Sequence, residues 1–139
     1  MATGGSVSEL KLVIHDNIVN DATIDGLVSG RVFSHHLQEE EANQIAYPIA
    51  IFAIRAGRMD YTSSYQATLM ELWAYSRIGP DEAMDLYDSL KNVIHMERLT
   101  TAANSRVVVC QEVERPNEGW NETTRAWFAQ GRWIVRSIG

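Results

Sequence analysis

Apolar positions along the chain change period several times, and each period predicts an element. Over about 8–20, Leu10, Val13, Ile14 and Ile18 recur at intervals of three and four, which marks one buried face of a helix. Ser6 or Ser8 is placed to cap it. The segment "DATIDGLVSG" predicts a short helical turn over 22–28, after which Gly26 and Gly30 break the chain. "RVFSHHL" (31–37) predicts a short strand. "QEEEANQ" has no apolar period and predicts a solvated acidic loop. Residues 47–54 are almost continuously apolar, as in a strand covered on both faces. Pro48 lies at its start, where a missing N–H does least harm.

"GRMDYTSS" (57–64) then predicts a turn, and "YQATLMELWAYSRI" (65–78) a returning strand. Alternation sends Leu69, Glu71, Trp73 and Tyr75 to one face and Met70, Leu72, Ala74 and Ile78 to the other. The aliphatic face should meet a helix. The aromatic and charged face is left for a second core or an interface. The firmest element follows: Pro80 opens a helix over about 80–95, with Ala83, Leu86, Tyr87, Leu90, Val93 and Ile94 on one stripe. Its acids, Asp81, Glu82 and Asp85, sit near the positive end of the dipole, and Lys91 and His95 near the negative end. Finally "SRVVVCQEVER" (105–115) reads as a strand and "PNEG" (116–119) as a turn. "NETTRAWFAQGRWIVRSI" (121–138) reads as a long last strand with a bend at Gly131. Together these elements predict an α+β domain. Its sheet is mostly antiparallel, and the N-terminal helix and the second helix, about 80–95, pack on one face.

Length changes this picture little: 139 residues suit one domain spanning 1–139, with 1–6 as a loose arm. Charge changes it more. Eighteen acidic against 12 basic residues give a net charge of −6, which argues against a broad basic face for nucleic acid. Cys110 is the only cysteine, so an intrachain disulfide and a cysteine-rich zinc site are both excluded. Within "RVVVC" it reads as a buried, inert thiol. The N-terminus lacks the basic and apolar regions of a signal peptide. No apolar run approaches the ~20 residues that span a bilayer, so the expected setting is a reducing cytoplasm.

Candidate chemistry is sparse. "HHLQEEE" offers His35, His36, Glu39, Glu40 and Glu41 as metal ligands. Adjacent residues of a strand point to opposite faces, however, so both histidines cannot easily share one ion. His15 and His95 stand alone on helices and read as ordinary histidines. No nucleophile elbow, phosphate loop, dinucleotide fingerprint or zinc-protease motif occurs. The reading is therefore of no enzyme, no catalytic residue, no cofactor and no metal. Trp120, beside Asn117 and Gly119 at the predicted hairpin tip, fits an interaction anchor. The candidate partner contacts are Asp60 and Tyr61 on the 57–64 loop, Asn117, Trp120 and Asn121 on the 116–121 loop, and Arg115 just before it.

The ordered pattern resembles the tail terminator (tail completion) proteins of long-tailed bacteriophages. Four pieces carry the likeness: the amphipathic helix followed by "DATIDGLVSGRVFS", then "AYPIAIF", then "TLMELWAYSRIGPDEAMDLYDSLKNVI", and the final hairpin over 107–138. It spans roughly 10–138, departing at the acidic insert "LQEEEANQ" and in lacking an acidic turn found in some members. The resemblance implies a structural virion protein. It implies a homohexameric ring on the head-proximal end of a tail tube, assembled in the host cytoplasm. Such a ring stops tube polymerisation, contacts the tube protein and the neck or connector protein, and lets DNA only pass through its lumen, with no membrane role. Six copies at −6 would carry about −36, a non-stick lining if the acids face the lumen. The rival readings are another neck or head-closure component, a small cone-shaped α+β enzyme or ligand-binding domain, and a regulatory oligomer.

Overall fold

The structure is a computed structural model and describes residues 7–54, 58–59, 66–101 and 104–138; the arm expected at 1–6 lies outside them. In chain order the elements are α1 (Val7–Val19), α2 (Ala22–Val28), β1 (Val32–Phe33), α3 (Glu39–Gln44), β2 (Ile49–Ile54), β3 (Arg58–Met59) and β4 (Gln66–Ser76). They continue with α4 (Pro80–Ile94), β5 (Leu99–Thr101), β6 (Asn104–Glu112), β7 (Asn117–Asn121) and β8 (Ala126–Ile138). One sheet runs β1-β2-β4-β8-β6-β5, with β3 also on β4 and β7 also on β8. Only β1 and β2 pair in parallel among the named strands; the other pairings are antiparallel. The predicted α+β class is the one observed.

Its centre is the ladder between β4 and β8. All 11 residues of β4 pair in unbroken register, from Gln66 opposite Ser137 to Ser76 opposite Trp127. The helical face of this ladder holds the main core. Met70, Leu72 and Ala74 of β4 meet Ala129, Trp133 and Val135 of β8 there, beneath Leu10, Val13, Ile14 and Ile18 of α1 and the stripe of α4. Ala83, Leu86, Tyr87, Leu90 and Ile94 of that stripe are all buried, as the helical period requires. Burying Leu86, Leu90 and Ile94 favours folding by roughly 1.5–3 kcal/mol each before entropy is counted. Ser76 makes the corner into α4. Its hydroxyl accepts the N–H of Ile78 at 3.0 Å and of Gly79 at 3.3 Å, and donates to Glu82 at 2.8 Å. That stands in for the side-chain cap Gly79 cannot supply.

Three expectations need correction. "QEEEANQ" is not a loop: residues 39–44 form α3, with the Glu41 carboxylate accepting the Gln38 N–H at 3.4 Å. Three glutamates at a helix start suit its dipole, and only Ala42 is buried, so no period betrayed the helix. "PNEG" is not a turn. Residues 117–121 form β7, and the turn is 122–125, where Asn121 Oδ1 accepts the Thr124 N–H at 3.0 Å and Arg125 takes φ 52°. Gly119 serves a close approach instead, since a Cβ there would meet the Phe128 ring at 2.6 Å. The last strand therefore starts at Ala126, and its ladder with β4 continues through Gly131 without a register shift. The interruption is in the neighbouring chain segment, between Glu112 opposite Trp133 and Asn117 opposite Gln130. Smaller departures are Gly26, which lies inside α2, Ser8, which lies inside α1, and Ile78, which is 78 % exposed because β4 ends at Ser76.

Candidate interaction surfaces

A partly buried polar chain fixes α4 against the sheet. Tyr87 on α4 donates to Glu112 on β6, and Trp133 Nε1 donates to the Tyr87 hydroxyl at 3.1 Å. Lys91 reaches the other Glu112 oxygen at 2.9 Å, and His95 Nδ1 accepts the Glu112 N–H at 3.2 Å. Burial first, then the bond to Glu112, push the Tyr87 phenol above its ordinary range, so it keeps its proton. Cys110 is fully buried, and desolvation pushes its thiol up to about 12; it is the inert thiol expected. These groups are occupied in holding elements together.

The far side of the sheet is divided. At one end a second cluster joins Leu37, Ala42, Ile49, Ile51, Tyr75 and Ala126, flanked by Phe33, Tyr47, Trp73 and Phe128. The Trp73 and Tyr75 rings lie parallel within 3°, and Phe128 tilts against Trp73 at 5.1 Å. Arg77 closes this end. It donates to the carbonyls of Ala42 at 3.0 Å and Thr124 at 2.8 Å, and its guanidinium lies 4.2 Å from the Tyr47 ring centre. The aromatic face of β4 is thus a second core there. Desolvation raises the Tyr75 phenol, as a core position should.

Beyond the second cluster the same face lies open. Leu69 is 53 % exposed, and it stands in one cross-strand row with Ile134 and Gln111. The next row pairs Glu71 with Arg132. A depression of about 250 Å³ is lined by Leu69, Met70, Glu71, Arg132 and Trp133. A larger polar groove of about 440 Å³ lies between the ends of α1 and α4, lined among others by Asn17, Asp21, Ser89, Asn92 and Arg98.

The sequence-predicted contacts separate into two groups. Asp60 and Tyr61 lie outside the described residues. Asn117, Trp120 and Asn121 come together on β7, with Arg115 exposed just before it. Asn121 caps the neighbouring turn. Trp120 is 45 % exposed, packs edge-on against Trp127 at 4.8 Å and donates to Glu122 at 3.1 Å. It therefore sits two residues before the turn and half-packed, not at a free tip. The histidines of "HHLQEEE" part: His35 lies 4.0 Å from Glu41, while His36 packs on Trp73. Among the described residues no group of three or more His, Cys, Asp or Glu could hold a metal ion, and no helix is long and apolar enough to cross a membrane. Sequence reasoning left this face of β4 for a second core or an interface but did not single out its β8 half, whose signal is the parity of Arg132, Ile134 and Arg136.

No family model matches the chain, and no curated protein matches it by sequence. Solved structures do match, 18 chains in number, so the fold recurs elsewhere. One is a chain of the "virion of native gene transfer agent (GTA) particle". It superimposes with a TM-score of 0.72 at 13 % identity, over 96 % of this chain and 98 % of that one. At that identity the likeness shows a shared fold, end to end.

Proposed function

We propose that this chain is a structural protein of a phage-type virion. In this reading it caps the head-proximal end of a tail tube as a homohexameric ring, stops the tube growing and joins it to the neck, leaving a lumen for DNA. The supporting observation is the whole-chain fold match to a virion component. It agrees with the family resemblance of the four sequence segments. Two further features favour structural work. The fully buried Cys110 and the partnered His95 are spent on packing and hydrogen bonds. The edge strand β7 presents Trp120 where a neighbour or the neck can reach it.

Particles assembled without this chain test the reading. Full heads should accumulate apart from tails, and the free tubes should exceed normal length in electron micrographs. Normal joined particles would rule the cap out. Trp120→Ala tests the anchor separately. Losing the ring pair with Trp127 should cost about 1 kcal/mol of stability, which leaves the protein folded. If Trp120 is a contact hot spot, head–tail joining should weaken by roughly thirtyfold, the equivalent of about 2 kcal/mol. Unchanged joining by a folded variant removes Trp120 from the contact.

A further inference from the structure

We propose that the open half of the sheet face receives the outward acidic stripe of α4 from a second copy, so that copies join head to tail. This rests on the ring reading above and names its contact. The sheet side carries exposed Leu69 together with Arg132 and Arg136 of β8. Among the described residues neither cation has a strong ionic partner. Arg132 reaches Glu114 only at 3.7 Å, with the two side chains 63 % and 55 % exposed, a pairing worth little in water. Arg136 donates to the neutral Gln111 at 2.8 Å, and among the described residues no ion pair compensates its charge. Glu71, opposite Arg132 in the ladder, offsets part of the positive charge.

The other half of the contact lies on the opposite side of the molecule. Asp81, Asp85 and Asp88 are exposed on α4 at i, i+4 and i+7, hence on one face. The dipole accounts for Asp81 in the first turn, but its influence fades before Asp85 and Asp88. Asp is also a poor residue for a helix interior. Lys91, the basic residue of the helix, is turned away to Glu112. Among the described residues no cation forms an ion pair with the three aspartates. Asp81 to Asp88 spans roughly 10 Å of helix, and Arg132 to Arg136 roughly 13 Å of strand, so the charges can meet in register. Because the two patches differ and lie on opposite sides, the contact is heterologous. Repeating it builds a ring or a filament and not a two-fold dimer.

The full chain, sized by native mass spectrometry and sedimentation over protein concentration, tests this. Wild type should form a closed multi-copy species that weakens with salt. Arg132→Glu with Arg136→Glu should reduce association at least about a hundredfold, as should Asp85→Arg with Asp88→Arg. Combining the four substitutions in one chain should restore much of it. If a reversed chain fails to fold, Arg132→Gln and Asp85→Asn test the same contact with a smaller loss. Wild-type assembly unaffected by these changes would overturn this contact and leave the ring reading standing. A two-fold dimer as the final species would also overturn it. A wild-type chain that stays monomeric at every concentration, tube present or absent, would overturn both.

Discussion

Gly131→Ala should cost this domain about 3–5 kcal/mol and lower its melting temperature by roughly 10 °C or more. Residue 131 lies opposite Leu72 in the central ladder, with Tyr87 directly above. A Cβ there would stand 1.8 Å from the Tyr87 hydroxyl oxygen and 2.7 Å from Cζ. The ring has nowhere to withdraw, since Tyr87 is fully buried and its hydroxyl is tied to Glu112 and Trp133. Either the strand moves, or the bonds through Tyr87 break and leave Glu112 and Trp133 without that partner. Denaturant titration measures the loss. Tyr87→Phe removes the atom that clashes most, so Gly131→Ala should be cheaper in that background, with a coupling of about 1–2 kcal/mol. A Gly131→Ala protein that melts like wild type would mean that this close approach does not exist in solution.

This glycine illustrates which features the sequence exposes. In "WFAQGRWIV" it resembles any strand glycine, and a bend is the natural expectation. Its real cause is a tyrosine 44 positions earlier on another element, which no local pattern contains. Elements with many apolar residues were legible. The stripes of α1 and α4, the run at 49–54 and the alternation of β4 each put several side chains into one core, so their periods are strong. The α3 helix was hidden because one buried alanine makes no period. The β7 strand was hidden because Pro116, Asn117 and Gly119 imitate turn chemistry, whereas Gly119 only clears room for Phe128. The same limit applies to the surfaces. Trp120 was conspicuous by type, and its strand places it half-packed on Trp127. Arg132 and Arg136 look unremarkable in sequence. They gain meaning only once α3 is seen to cover the other end of their face, leaving Leu69 bare beside them.

Leu90→Asp should abolish the fold at neutral pH, whereas Leu90→Ala should only weaken it. Leu90 is fully buried in the main core, on the face of α4 that meets the sheet. Truncation to alanine removes apolar contact and leaves a partial cavity, a loss of about 2–5 kcal/mol. A domain with the usual 5–15 kcal/mol of stability survives that. Aspartate suffers the same loss and adds a carboxylate among aliphatic side chains. The nearby cation, Lys91, is already held by Glu112. An unpaired charge at that depth is paid for by taking up a proton. The folded-state pKa of residue 90 must therefore lie above the unfolded value of ~4. A raised acid pKa means that the folded form binds the proton more tightly. The added penalty is then absent well below pH ~4 and grows as pH rises towards the folded pKa. Circular dichroism and limited proteolysis at pH 7 should find Leu90→Ala folded and Leu90→Asp unfolded, with the gap between them narrowing in acid. If Leu90→Asp is folded at pH 7 and within about 1 kcal/mol of Leu90→Ala, α4 does not bury this stripe against the sheet. The corner that Ser76 builds between β4 and α4 would then have to point the helix elsewhere, and the outward position of Asp81, Asp85 and Asp88 would fall with it.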